Sequence, residues 1–287
     1  MTRPSGMRLA LAQPAIDTGR PEESRVADAA GMIAEAGRQG ADLVLFPESY
    51  PGPITAGLEY DAGPAIAEAC RGAGVAACWG RVEPKGDGSF ETVVVANDRS
   101  GSRLTRYVRS HPATGDVHPV LSGAGMSPGG EPGLFEFEGI RFGIAICSEL
   151  WNPELCRVLA LRGADVLLAP AGGGFGRVAG NWQLMARARA IENQLHVGLT
   201  QQLFGGESGS AMIAGPEAVL AIRKEPGLLL ADLDLERQRW LRDHDDSMQE
   251  PKPFSSLPGL LRARRPGLYG DLAAPVDGLD YDDAVID

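Results

Sequence analysis

Apolar positions along the chain follow two periods, and together they predict alternating strands and helices. Alternation over residues 7–12 indicates a strand, and small or apolar side chains at helical spacing over 21–39 indicate a helix that Gly40 ends. Short apolar runs predict buried strands at 42–46 and 165–169. The same reasoning predicts helices at 64–71, 153–162, 181–193 and 235–241, a hairpin of 134–138 with 140–146 around Glu138-Gly139, and strands at 75–82, 91–97, 103–108 and around Val197, Met212, Val219 and Leu229.

Two segments of the chain resemble each other. Residues 40–47 are Gly-Ala-Asp-Leu-Val-Leu-Phe-Pro, and residues 163–170 are Gly-Ala-Asp-Val-Leu-Leu-Ala-Pro. Each segment combines a glycine helix stop, a buried strand and a proline break, which indicates two similar layers rather than a solenoid repeat. Helices outside buried strands predict a layered α/β fold. Because no Ser/Gly/Pro linker divides the chain, we expect one domain over 7–272 and a separate tail at 273–287.

Composition limits the classes of partner. Of 287 residues, 44% are hydrophobic, which is enough for a sizeable core, and the formal net charge is -11. Six Asp and no Lys or Arg lie in 271–287, which is typical of a solvated, poorly ordered end. The acidic balance argues against nucleic-acid and anionic-membrane partners, and no apolar run reaches the roughly 18 residues that a membrane span needs.

The cysteines and the N-terminus indicate a cytoplasmic protein. The four cysteines contain no C-x-x-C pair and are too sparse for a disulfide framework. The N-terminal residues lack the apolar core of a secretory signal. Free thiols in a reducing cytoplasm are therefore expected.

Cys147 is the first candidate for chemistry. It ends the apolar run of 140–146, and a helix is predicted to begin a few residues later. A cysteine at such an elbow projects from the sheet, and the N–H groups of the turn favour a thiolate and can bind an oxyanion. The alternative is a buried structural cysteine.

Glu48 is the second candidate. It follows the buried strand at 42–46 and the break at Pro47, so its side chain is expected to enter a cleft at the end of the sheet. Partial burial raises the pKa of a carboxyl group towards the range that suits a general base. The alternative is an exposed loop glutamate.

Taken in order, several motifs resemble the nitrilase, or carbon–nitrogen hydrolase, superfamily. The resemblance extends from Leu9 to about Leu272, nearly the whole chain. Its motifs are Phe46-Pro47-Glu48, the strand 143–147 that ends in Cys147, Arg162-Gly163-Ala164-Asp165 with Pro170, the 187–193 stretch after Trp182, Gly209-Ser210 with Pro216, and the 265–269 stretch Arg-Pro-Gly-Leu-Tyr.

The resemblance implies a four-layer α-β-β-α sandwich that pairs through helices into a homodimer or a higher homo-oligomer. It also implies a Glu-Lys-Cys triad with no metal and no organic cofactor. Glu48 and Cys147 fall on the matching positions, but Arg109 stands where the family has its Lys, in Tyr-Val-Arg-Ser-His-Pro at 107–112. Arg keeps the positive charge yet is larger, planar and always protonated. Arg109 is expected to hold the oxyanion or a substrate carboxylate. One alternative is that the catalytic apparatus is weakened and the protein binds a ligand without turning it over; another is that Arg109 is an exposed strand-end charge without a role.

Other residues are candidates for the pocket. The family often has a second Glu several residues beyond the Lys, and the nearest acid in this chain is Asp116, for which an ordinary turn aspartate is the alternative. Glu149 and Trp151 follow Cys147 closely. The glycine run that includes Gly172 and Gly173 lacks the spacing of a phosphate loop. The resemblance instead implies that it lies on the pocket rim. His118 offers a rival Cys–His pair, and with His111 it makes a weak metal-ligand pattern.

The expected reaction is hydrolysis of a non-peptide carbon–nitrogen bond in a small molecule, with an amide or carbamoyl group as the first choice. Cys147 forms a thioester, Glu48 moves protons, and Arg109 with the backbone N–H of Ser148 holds the negative charge. A nitrilase, an acyltransferase and a catalytically idle binding protein of the same fold are the alternatives.

Overall fold

The computed structural model describes residues 4–55, 58–112, 125–244, 248 and 250–274. Its strands are β1 (Gly6–Gln13), β2 (Ala15–Ile16), β3 (Leu43–Leu45), β4 (Ala76–Pro84), β5 (Phe90–Asn97), β6 (Arg103–Val108), β7 (Gly133–Phe137), β8 (Ile140–Ile144), β9 (Val166–Ala171), β10 (His196–Gln201), β11 (Leu203–Phe204), β12 (Ala211–Ala214), β13 (Val219–Arg223) and β14 (Gly227–Asp234). Its α-helices are α1 (Arg25–Arg38), α2 (Gly63–Ala73), α3 (Pro153–Leu161), α4 (Ala179–Asn193) and α5 (Leu235–Asp243).

Two six-stranded sheets organise the molecule. The first has the order β14-β1-β3-β4-β5-β6 and the second β13-β12-β10-β9-β8-β7. In each sheet three central strands are parallel, β1-β3-β4 in the first and β8-β9-β10 in the second. The carboxyl ends of parallel strands meet at one edge of a sheet, which is where α/β proteins place their reactive side chains.

The buried side chains form three layers of core. Leu9, Leu45, Phe142, Ile144 and Leu168 belong to the cluster between the two sheets. The outer face of the first sheet packs against α1 and α2, and the outer face of the second against α3 and α4. This arrangement confirms the predicted four-layer α-β-β-α sandwich.

The repeated segments lie at equivalent places in the two sheets, as predicted. Asp42 precedes β3 and accepts a hydrogen bond from the backbone N–H of Arg8 at 2.7 Å. Asp165 precedes β9 and accepts one from the backbone N–H of Arg141 at 3.2 Å. Each aspartate thus binds the neighbouring strand at the sheet end opposite to the carboxyl ends.

Most predicted elements are present with shifts of a few residues at their ends. The β7–β8 hairpin turns at Glu138 and Gly139, whose positive φ angles of 50° and 77° suit a two-residue turn. The two-residue strands β2 and β11, which pair with each other, were not predicted. Among the described residues, no helix has the length and apolarity to cross a membrane. The domain bounds of 7–272 and 273–287 stay a prediction, and 275–287 lie outside the described residues.

Candidate active site

Cys147 lies at a sharp turn between the second sheet and its outer helices. Strand β8 ends at Ile144, and the 3-10 turn Cys147–Trp151 begins three residues later. The φ angle of Cys147 is +52°, a left-handed conformation that is strained for a residue with a side chain and is often retained at functional sites. Cys147 is partly exposed, whereas the other three cysteines are buried. The elbow predicted from the sequence therefore presents one reachable thiol.

Glu48 follows β3 of the first sheet, and contacts of its backbone segment with β4 and Gln202 fix its position. The next residue, Ser49, lies so close to β4 that a Cβ atom on Gly80 would be 2.4 Å from its backbone N, so only glycine permits this approach. The backbone carbonyl of Glu48 accepts a hydrogen bond from Nε2 of Gln202 at 2.8 Å. These contacts fix the segment from which the carboxylate projects.

Arg109 directly follows β6, and its guanidinium group contacts both Glu48 and Ser148. Its Nη1 donates to Oε1 of Glu48 at 3.0 Å, and its Nη2 donates to Oγ of Ser148 at 2.6 Å. Its Nε donates to the carbonyl of His111 at 3.0 Å. The Glu48–Arg109 ion pair is withdrawn from water, with side-chain exposures of 13% and 3% respectively. The Arg109 guanidinium therefore lies beside the Glu48 carboxylate in a buried site.

The resting thiol is protonated rather than ionised. Burial raises the pKa of Cys147, and the Glu48 carboxylate, to which the thiol donates a hydrogen bond, raises it further. Arg109 and the backbone N–H of Gly172 lower the pKa, but not enough to offset the other effects. The sequence-based expectation of a favoured thiolate is wrong for this resting state. The Cys147 thiol is hydrogen-bonded to the Glu48 carboxylate, a geometry in which the carboxylate can accept the thiol proton.

The glycine loop after β9 forms another wall. A Cβ atom on Gly172 would lie 3.0 Å from Oε2 of Glu48, and one on Gly173, where φ is +98°, would lie 2.1 Å from the carbonyl of Gln202. The Glu207 carboxylate accepts hydrogen bonds from the backbone N–H groups of Gly174 at 3.1 Å and Phe175 at 2.9 Å. Glycine is needed in this loop because the Glu48 carboxylate and the backbone of Gln202 approach it closely.

The remaining predicted residues have different placements. Trp151 is half-exposed, and its ring meets the edge of Trp182 at a centroid distance of 5.6 Å. Glu149 is completely buried, and both of its carboxylate oxygens accept hydrogen bonds from the protein. It therefore does not line the pocket, contrary to the expectation from the sequence. Asp116 and His118 lie outside the described residues. No group of three or more possible metal ligands occurs among the described side chains.

Comparison with known proteins identifies the family. The family model described as carbon-nitrogen hydrolase matches residues 8–243. The chain belongs to the carbon–nitrogen hydrolase family. It is 28% identical to a hydrolase of Mycobacterium tuberculosis over 88% of this chain and 98% of that protein, and 26% identical to an omega-amidase of Bos taurus over 82% and 91%.

A solved structure supports the same assignment. A variant of the amidase from Nesterenkonia sp. AN1 shows covalent addition of the acetamide moiety of fluoroacetamide at the active-site cysteine. It is 25% identical to this chain, with a TM-score of 0.67 over 86% of this chain and 97% of that one. This carbon–nitrogen hydrolase is thus an enzyme of the amidase and nitrilase type.

Sequence reasoning missed several residues that support the site of this carbon–nitrogen hydrolase. Arg189, in the 187–193 motif, donates to the carbonyls of Leu150 at 2.9 Å and Trp151 at 3.1 Å and so holds the turn that begins at Cys147. Gln202 and Glu207 hold the base segment and the glycine loop. Arg189 could have been suspected because it is an arginine within an otherwise buried helical pattern, but the other two carry no signal in the sequence.

Proposed function

We propose that this enzyme hydrolyses the amide bond of a small molecule through a thioester on Cys147. The observation that carries the proposal is the position of the Glu48 carboxylate, which contacts both the thiol and the Arg109 guanidinium. The amide class is supported by the relatives, among which are an omega-amidase and an amidase. The covalent adduct on the cysteine of the Nesterenkonia amidase supports a covalent route.

In the first half-reaction Glu48 accepts the thiol proton while the sulfur attacks the amide carbon. The carbonyl π electrons move to oxygen, and the guanidinium of Arg109 and the backbone N–H of Ser148 stabilise the resulting oxyanion. The tetrahedral intermediate collapses with cleavage of the C–N bond, and Glu48 returns the proton to the departing ammonia or amine. The acyl group remains on Cys147 as a thioester.

In the second half-reaction Glu48 deprotonates a water molecule that attacks the thioester carbon. Collapse of this intermediate breaks the C–S bond, the sulfur recovers a proton from Glu48, and a carboxylic acid leaves. Arg109 supplies a charge that never titrates, so only Glu48 moves protons. The contacts of Arg109 with Glu48 and Ser148 hold its guanidinium beside the reacting groups, which favours a role in stabilising the oxyanion.

The test combines a panel of small amides and nitriles with mass spectrometry of the intact protein. We expect ammonia release from an amide and an acyl adduct on Cys147, with turnover abolished by Cys147→Ala and reduced about 10²- to 10⁴-fold by Glu48→Gln. Cys70→Ala, which removes a buried thiol from α2, is the matched control and should retain turnover. Turnover of nitriles alone, or hydroxamate formed from added hydroxylamine in place of acid, would assign one of the alternative reactions.

Arg109 has its own test. Arg109→Lys should keep part of the turnover, because a cation remains, and Arg109→Met should lose about 10²- to 10³-fold in kcat, the usual effect of removing an oxyanion donor. Unchanged turnover in Arg109→Met would contradict the assigned role.

We also propose that two copies of the chain pair through α3 and α4. Large apolar side chains on these outer helices are exposed: Val158, Leu161, Leu184 and Ile191. These side chains come from two helices that contact each other, and exposed apolar patches are typical of protein–protein interfaces. Sedimentation should find a dimer that Leu184→Glu dissociates, and a monomeric unmodified chain would contradict the proposal.

A further inference from the structure

The Glu149 carboxylate is a buried group that the reaction does not use. It lies two residues after Cys147 and has no exposed surface. Its oxygens accept a set of hydrogen bonds: Oε1 from Oη of Tyr107 at 2.8 Å, the backbone N of Ser110 at 2.7 Å, Oγ of Ser110 at 2.8 Å and the backbone N of His111 at 3.0 Å, and Oε2 from the backbone N of Ile146 at 2.7 Å.

These donors come from two different sheets. Tyr107, Ser110 and His111 surround Arg109 at the end of β6, in the first sheet. Ile146 directly precedes Cys147, after β8 of the second sheet. A single carboxylate therefore binds the segment that carries the cation to the segment that carries the nucleophile.

The charge of Glu149 strengthens this connection. Burial raises the pKa of its carboxyl group, but hydrogen bonds, which include those from His111, Ile146 and Tyr107, outweigh burial and hold the pKa below its usual value. The group therefore stays ionised at neutral pH. An ionised carboxylate accepts all these hydrogen bonds, whereas a neutral amide replaces one acceptor by a donor.

We propose that Glu149 is a positioning residue that sets the guanidinium of Arg109 relative to the sulfur of Cys147. The proposal rests on the proposed function, because it assigns the placement of the cation on which that reaction depends. Small displacements of catalytic groups lower rates steeply, and about 1 Å can reduce a rate roughly 10²-fold.

Glu149→Gln tests the proposal, since it preserves the size of the side chain. We expect kcat on the amide substrate to fall about 10²-fold with little change in KM. The rate of Cys147 alkylation by iodoacetamide should move to higher pH, because a displaced Arg109 no longer favours the thiolate. Loss of the Glu149 negative charge alone would move the alkylation profile to lower pH, so the direction separates positioning from simple electrostatics.

Asp165→Asn is the matched control. Asp165 is a buried carboxylate that binds a backbone N–H at the opposite end of the second sheet. It should lower the melting temperature while leaving kcat and the alkylation profile unchanged. Tyr107→Phe removes one donor to Glu149 and should change kcat and the profile in the same directions by a smaller factor, which keeps the test decisive if Glu149→Gln does not fold.

Two results would overturn the proposal: kcat within about twofold of the unmodified enzyme in a folded Glu149→Gln or Tyr107→Phe variant, or a profile shifted to lower pH in Glu149→Gln. Failure of the proposed function has a different signature. In that case the unmodified protein turns over no amide, yet the alkylation profiles of the two variants still report whether Arg109 has moved.

Discussion

Removing one member of the Glu48–Arg109 ion pair should destabilise the protein strongly, because the other member stays buried without its charged partner. The two side chains are nearly withdrawn from water, and Nη1 of Arg109 lies 3.0 Å from Oε1 of Glu48. Arg109→Met keeps most of the apolar stem but leaves the Glu48 carboxylate without its guanidinium partner. Removing one member of a buried pair typically costs about 3–5 kcal/mol, so we expect a loss of that order in the free energy of unfolding.

Urea denaturation followed by circular dichroism measures this loss, with Arg106→Met as the matched control. Arg106 lies on β6 three residues before Arg109, and its ion pairs with Glu83 and Glu91 are more exposed, with side-chain exposures of 32% for the arginine and 25% and 19% for the two glutamates. Exposed pairs contribute about 0–1 kcal/mol, so the control should be destabilised much less.

The double variant Glu48→Gln/Arg109→Met completes the cycle. Because a neutral amide is cheaper to leave buried than a lone carboxylate, the double variant should be more stable than Arg109→Met alone. Two results together would refute the view that Glu48 and Arg109 form a desolvated pair. Arg109→Met would lower the free energy of unfolding no more than Arg106→Met does, and the effects of the two substitutions in the cycle would be additive.

Three further predictions concern the glycine loop, a buried histidine and the thiols. Gly173→Ala should lower both the melting temperature and the activity, because its Cβ atom would lie 2.1 Å from the carbonyl of Gln202. Gly174→Ala places no atom within 4 Å of its Cβ and should lower the free energy of unfolding by only about 1–2 kcal/mol, the cost of its left-handed φ. Burial lowers the pKa of His196 to about 4, below its unfolded value of about 6.5, so the native state binds fewer protons than the unfolded state. The free energy of unfolding should therefore fall by about 2 kcal/mol as the pH drops from 7 to 5. His196→Leu should remove this loss in urea titrations. Iodoacetamide should alkylate only Cys147 in the folded protein, with a rate that rises with pH, as peptide mass mapping will report.

Each of these has a contrary outcome. Equal melting temperatures for Gly173→Ala and Gly174→Ala would show that the loop does not press on Gln202. An unchanged pH dependence in His196→Leu would mean that another group titrates. Comparable labelling of all the thiols before unfolding would contradict the burial of the other cysteines.

Periodicity was sufficient to predict a layered α/β fold, because the sheets and helices bury continuous apolar faces, whereas the number of layers was predicted from the family resemblance. The short pair β2–β11 was missed since two residues carry no period and the pairing joins Ala15 to Leu203 across the chain. Local reasoning also placed Glu48 and Cys147 at strand ends, which follows from the Pro47 break and the elbow after β8.

What the sequence could not provide is the environment made by distant residues. Glu149 occupies a polar-looking turn, and its burial depends on donors from about forty positions earlier. The pKa of Cys147 was misjudged because the elbow argument counted the nearby N–H groups but neither the desolvation of the thiol nor the Glu48 carboxylate. Both errors have one origin: electrostatics at the site is set by contacts between the sheets.

The candidate site lies between the two sheets, because Glu48 and Arg109 follow strands of the first sheet and Cys147 follows a strand of the second. We therefore expect turnover to depend on the alignment of the two sheets. A shear too small to disturb any strand or helix would disconnect sulfur from carboxylate, so on warming, turnover should vanish while the far-ultraviolet spectrum is still native.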